Sequence, residues 1–132
     1  MIKGSSGFAD HAALFLERGS DTGGPAIYDP SGSYSRSLDP GNGDLITGKD
    51  ADIKKFSDFY KKLDKSKSES TCKETTKAEE KRLFNGAVDE GPQSGPRCAI
   101  AVSDVLSGSP NFPSVKPGTF FPGNLFRDAK KP

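Results

Sequence analysis

The sequence predicts a single α+β domain over residues 1–132, in which a small antiparallel sheet packs against helices. Three observations predict this class. Short apolar runs bounded by turn residues share the chain with segments whose apolar residues recur every three or four positions. A length of 132 residues suits one core. The 15 glycines, 10 prolines and hydrophobic fraction of 32% indicate a small core wrapped in long structured loops.

The first half of the chain contains most of the predicted strands, of which we expect three or four in total. The short apolar run "HAALFLE" at 11–17 is bounded by polar residues and predicts a strand. Turn-forming residues fill 18–25, so "AIYD" at 26–29 predicts the returning strand of a hairpin. A long loop then runs to Gly48 and includes a short strand at 45–47.

The second half is predicted to be mainly helical. Its elements are a helix at 50–65, a strand at 71–75, a helix at 76–90, a helix from Cys98 to Gly108 and a short helix from Pro122. Asp50 is the expected cap of the first helix. Thr76 stands three residues before Glu79, the spacing of a capping box.

Composition argues against several classes of function. The formal net charge is +1, whereas nucleic-acid binding usually requires a strong basic excess. No run approaches the roughly 20 apolar residues of a transmembrane helix. The opening "MIKGSSGF" lacks the apolar middle of a signal peptide, so action outside the cell would need another route of delivery. We interpret this opening as an arbitrary start, as expected of a domain excised from a larger secreted protein.

Cys98 is the first candidate for chemistry, because it follows a Gly-Pro-Arg break and begins a predicted helix. Unpaired backbone N–H groups at a helix N-terminus stabilise a thiolate and can hold an oxyanion, so we expect a lowered pKa here. Arg97 either adds positive charge or points to solvent. The alternative is that Cys98 is a small buried core residue. Cys72 lies in a polar stretch without a helix start, and a bridge between the two cysteines stays open.

His11 is the single histidine of the chain and opens the first predicted strand. In the catalytic interpretation its imidazole takes the proton of Cys98. The hairpin returns "YDPSGSY" beside it, so Asp29 is the first candidate to orient the ring, with Asp10 and Ser33 as weaker ones. Alternatively, His11 is a structural or surface residue and Asp29 an ordinary turn residue. No ligand spacing for a metal is present, and no cofactor is expected.

The order of "HAALFLE", "AIYDPSGSY", a helix and "RCAIAVSDVLSG" resembles the permuted papain-like cysteine hydrolases, in which the histidine strand precedes the cysteine helix. More narrowly, it resembles the small toxin domains of bacterial polymorphic toxins and type VI secretion effectors. Two positions depart from that pattern. Asp10 stands where relatives often have glycine before the histidine, and Arg97 where a small or polar residue is common before the cysteine.

The resemblance implies a circularly permuted papain-like fold with Cys98 as nucleophile, His11 as general base and Asp29 as third polar residue. It further implies an antibacterial effector that cleaves peptidoglycan peptides. Such an effector is delivered by a secretion apparatus, acts in the periplasm of the target cell and is neutralised by a cognate immunity protein. Two alternatives stay open. One is a deamidase, acyltransferase or lipase that acts on a host protein or lipid, and the other is a binding module without catalysis.

Overall fold

The architecture is α+β, as predicted. The computed structural model describes residues 2–7, 12–20, 23–30, 34, 45–64, 68–91 and 97–131. Within these ranges the chain forms five strands and four α-helices. The strands are β1 (Ile2–Gly7), β2 (Ala12–Leu16), β3 (Ala26–Tyr28), β4 (Leu45–Thr47) and β5 (Ser68–Lys73). The helices are α1 (Ile53–Asp64), α2 (Lys77–Glu90), α3 (Cys98–Leu106) and α4 (Pro122–Lys130).

The strands form one sheet in the order β4-β3-β2-β1-β5, and every neighbouring pair is antiparallel. Strand β1 was not predicted, because its residues "IKGSSG" carry no alternation of apolar and polar side chains. This strand lies between β2 and β5 and pairs with both. Its extended conformation therefore comes from backbone pairing on two sides, which overrides a weak intrinsic preference.

Both faces of the central hairpin are covered by helices. Ala12, Leu14 and Leu16 point towards the layer formed by α2, α3 and α4, where they join the larger apolar cluster. The alternate residues Ala13 and Phe15 point to the other face and pack with residues of α1. Because the strand is buried on both sides, its sequence is a continuous apolar run rather than an alternating one.

The helix ends differ from the sequence expectations in one respect. Asp50 is not the cap of α1, because it ends a short 3-10 turn at Gly48–Asp50. The carboxylate of Asp52 accepts the backbone N–H groups of Lys54 and Lys55 at 2.8 and 3.2 Å and so satisfies the first turn of α1. Either aspartate could accept these N–H groups chemically. Asp50 is held in the 3-10 turn, so Asp52 is the residue at the start of the helix.

The strand predicted at 71–75 is β5 at Ser68–Lys73, which begins three residues earlier. The starts of the other helices agree closely with the structure. The Thr76 hydroxyl accepts the backbone N–H of Glu79 at 3.1 Å, as a capping box requires. The helix led by Cys98 and the helix opened by Pro122 both begin where they were expected. Among the described residues, no helix has the length and apolar content needed to cross a bilayer.

An ion pair between the half-exposed Arg18 and the buried Glu80 joins the turn after β2 to α2. The Glu80 side chain is fully buried, and its carboxylate accepts the backbone N–H of Arg18 at 3.0 Å and the Arg18 guanidinium at 3.2 Å. Burial by itself raises the pKa of Glu80, but hydrogen bonds, foremost that of the Arg18 backbone N–H, outweigh it and hold the pKa below its ordinary value. The pair fixes α2 to the sheet.

Replacing this carboxylate tests its contribution to stability. We expect Glu80→Gln to lower the free energy of unfolding at neutral pH by about 2 kcal/mol, because a charged hydrogen-bond acceptor is lost from a buried site. The pKa of Glu80 is lowered by folding, so its contribution is present above the unfolded pKa and is lost as the pH falls through the folded value. Urea denaturation at several pH values measures both effects.

The matched control is Asp58→Asn, which removes an exposed carboxylate paired with Lys54 on α1. It should change stability by less than about 0.5 kcal/mol. Equal effects of the two substitutions would contradict the structural role of Glu80.

Candidate active site

Three segments meet at one end of the sheet. They are the start of β2, the residue that follows β3 and the first turn of α3. Cys98 is the first residue of α3, Ala12 is the first residue of β2, and Asp29 follows directly after β3. The hairpin pairing of β2 with β3 brings the two strand ends together, and α3 packs across β2.

The central contact is a hydrogen bond to sulfur. The backbone N–H of Ala12 donates to Cys98 Sγ with a nitrogen–sulfur distance of 3.2 Å, between residues 86 positions apart. His11, Asp10 and Ser33 lie outside the described residues. The structure therefore brings the residue that follows His11 against the predicted nucleophile.

The electrostatic environment of Cys98 differs from the sequence expectation. Burial raises the pKa of the Cys98 thiol, and the negative charge of Asp29 raises it further. The backbone N–H groups of Ala12, Ala99 and Cys98 itself act in the opposite direction, as predicted for a helix N-terminus. Their combined effect is smaller than that of burial and the Asp29 charge together, and burial is the largest single cause because the side chain is fully shielded from solvent. The expected lowered pKa is thus wrong for this closed site.

Asp29 is the second predicted site residue that the structure describes. Its side chain is completely buried, and its Oδ2 atom accepts the backbone N–H of Tyr34 at 3.3 Å. Asp29 follows Tyr28, which pairs with Leu14 of β2. Leu14 is two residues from Ala12, whose N–H binds Cys98 Sγ. The negative charge of Asp29 is one of the causes that raise the pKa of Cys98. Sequence reasoning missed Tyr34, although this residue ends the quoted "YDPSGSY" stretch.

The structure also describes Arg97 and Cys72, the other basic and thiol candidates. Arg97 is exposed to solvent and provides no side-chain cap for α3. Cys72 lies in β5 at the edge of the sheet, with β1 between it and β2. Cys98 forms no disulfide, so the open possibility of a Cys72–Cys98 bridge is not realised.

The described residues contain no group of three or more His, Cys, Asp or Glu side chains that could hold a metal ion. No family model matches the chain, and no curated protein or solved structure matches it either. The chemistry of the site therefore rests on its own geometry. That geometry comprises the buried Cys98 thiol, backbone N–H donors near its sulfur, and the buried Asp29 carboxylate, whose negative charge raises the pKa of the thiol.

The influence of Asp29 on Cys98 gives a direct test of this geometry. We expect Asp29→Asn to lower the pKa of Cys98, because the substitution removes a negative charge that disfavours the thiolate. The measurement is a pH titration of thiolate ultraviolet absorbance in a Cys72→Ala background, with the same protein carrying Cys98→Ala as the blank.

Asp58→Asn is again the control, because it removes an exposed carboxylate on α1. An unchanged Cys98 titration in Asp29→Asn would mean that the two side chains do not share a site.

Proposed function

We propose that this chain is a cysteine hydrolase, most simply an amidase or peptidase with a permuted papain-like arrangement. Cys98 is the nucleophile, His11 the general base and Asp29 the residue that orients the imidazole. The observation that carries the proposal is the hydrogen bond from the Ala12 backbone N–H to Cys98 Sγ.

Chain connectivity links this bond to His11. The Ala12 nitrogen is bonded to the carbonyl carbon of His11, and it lies 3.2 Å from the sulfur. Because His11 is the residue before Ala12 in the sequence, we propose that its imidazole hydrogen-bonds to the thiol, which is the first requirement for a general base.

The raised pKa of Cys98 shapes the mechanism. A thiol that is protonated at rest requires a base at the moment of attack, and His11 supplies it by accepting the thiol proton. The sulfur then attacks the carbonyl carbon of an amide or ester, and the imidazolium returns the proton to the leaving group. Water, deprotonated by the neutral imidazole, hydrolyses the thioester and regenerates the thiol. Asp29 stabilises the imidazolium by its buried negative charge.

The order of elements supports the more specific proposal. A strand that follows a histidine comes early in the chain, and the helix led by cysteine comes late, which is the permuted order of the resemblance described above. On that resemblance we propose an antibacterial effector that cleaves peptidoglycan peptides. It would be delivered by a secretion apparatus into the periplasm of a target cell and held inactive by a cognate immunity protein.

One observation favours a second candidate, a binding module in which Cys98 has only a structural role. The sulfur is fully buried within the apolar cluster, and burial raises the pKa of its thiol. A structural cysteine has the same properties. The two candidates differ in what they require of Asp29 and of His11, because an apolar core gains nothing from a buried carboxylate next to a thiol.

Substitution of the two central residues separates the candidates. We expect Cys98→Ala and His11→Ala each to reduce the release of new amino groups from purified peptidoglycan by at least about 100-fold, because each removes a group that takes part in the chemistry. Cys72→Ala is the matched control and should retain activity. Circular dichroism confirms that each variant is folded.

The possible results point to different functions. If wild-type and Cys98→Ala proteins are equally toxic when directed to the periplasm, the hydrolase is excluded. An inert peptidoglycan together with a deamidated protein or a cleaved lipid ester would retain the thiol chemistry and change the substrate.

A further inference from the structure

The stretch "YDPSGSY" begins and ends with tyrosines that are anchored on opposite faces of the sheet. Tyr28 packs in the cluster beneath α2, α3 and α4, and its hydroxyl donates to the carbonyl of Gly91 at 2.7 Å. Tyr34 packs in the cluster on the α1 face. Asp29 stands directly after the first tyrosine, so both anchors flank the buried carboxylate in sequence.

Tyr34 is held by three contacts with α1 and the turn that precedes it. Its ring meets the rings of Phe56 and Phe59 edge-on, with centroid separations of 5.4 and 5.6 Å. Its hydroxyl donates to the backbone carbonyl of Asp50 at 2.9 Å. Burial raises the pKa of Tyr34, and the carboxylates of Asp50 and Asp52 raise it further, so the hydroxyl keeps its proton and continues to donate.

The backbone of the same residue contacts the site. The N–H of Tyr34 donates to Asp29 Oδ2 at 3.3 Å, where the carboxylate is fully buried. A buried carboxylate needs hydrogen-bond donors to remain charged and to hold one orientation. The side chain of Tyr34 thus fixes the position from which its own N–H reaches Asp29.

We propose that Tyr34 is a positioning residue, which anchors the Asp29 carboxylate beside Cys98 by bracing it against α1. A contribution of Tyr34 to catalysis rests on the proposed function. The bracing of Asp29 by Tyr34 does not depend on that function. It makes α1, on the face opposite to α3, part of the support of the site. Loosening Tyr34 should let the carboxylate move away from Cys98 without changing any group that a substrate would touch.

Tyr34→Phe tests the proposal, because it keeps the ring contacts and removes the hydroxyl bond to Asp50. The readout is the thiolate absorbance titration of Cys98 in the Cys72→Ala protein, with Cys98→Ala blanks. Tyr28→Phe is the matched control, since it also removes one buried hydroxyl bond to a backbone carbonyl. The double variant Tyr34→Phe/Asp29→Asn completes a double-mutant cycle. The cycle shows whether the two substitutions change the pKa of Cys98 through one shared effect or independently.

We expect Tyr34→Phe to lower the pKa of Cys98 in the same direction as Asp29→Asn and by a smaller shift. The double variant should match Asp29→Asn alone, because Tyr34 acts through that carboxylate, and Tyr28→Phe should leave the titration unchanged. An unchanged titration in Tyr34→Phe, or shifts that add in the double variant, would overturn the proposal. Should Tyr34→Phe not fold, Phe59→Leu removes one ring contact and is judged by the same criteria.

The titration needs no substrate, so the two proposals can fail separately. The expected shifts in a protein that hydrolyses neither amides nor esters would retain the role of Tyr34 and reject the proposed function. Hydrolysis without the shifts would retain the function and reject the role of Tyr34.

Discussion

The hydrogen bond from the Ala12 backbone N–H to Cys98 Sγ is the contact on which the site depends. It docks the first turn of α3 on the first residue of β2, and small neighbours such as Ala99 and Ala101 are fully buried in the same cluster. A sulfur atom at this junction can accept a backbone N–H that a purely aliphatic side chain would leave without a partner. The contact therefore fixes both the packing of the helix and the position of the thiol.

Two opposing effects act on this thiol, and burial is the stronger. Amide groups at the helix N-terminus favour the thiolate, whereas removal from water and the charge of Asp29 favour the thiol. The result is a thiol whose pKa is raised, so in the proposed hydrolase it would depend on a neighbouring base. In such a site the negative charge of the carboxylate has opposite effects on the two ionised groups. It disfavours an isolated thiolate, and it favours the imidazolium that forms when a histidine takes the proton.

Local sequence signals predicted most elements of the fold, because the apolar periodicity and the capping and turn residues act within a few positions. They did not predict β1, which depends on pairing with two other strands. Chain order and residue type selected Cys98, His11 and Asp29 as a site; the structure describes Cys98 and Asp29, and the charge of Asp29 contributes to the raised pKa of Cys98. The sign of the Cys98 pKa shift and the bracing role of Tyr34 depend on burial and on contacts across the sheet, which no local pattern encodes.

The most direct test of the central claim uses the fact that the chain has a single histidine. The carbon-bound protons of its ring give one set of resonances, whose chemical shifts follow protonation as the pH changes. If Cys98 and His11 form a pair, the wild-type curve contains a second inflection at the pH where the thiol ionises, and Cys98→Ala removes it. Identical curves for the two proteins would show that the ring does not sense the sulfur, and would contradict the proposed catalytic pair.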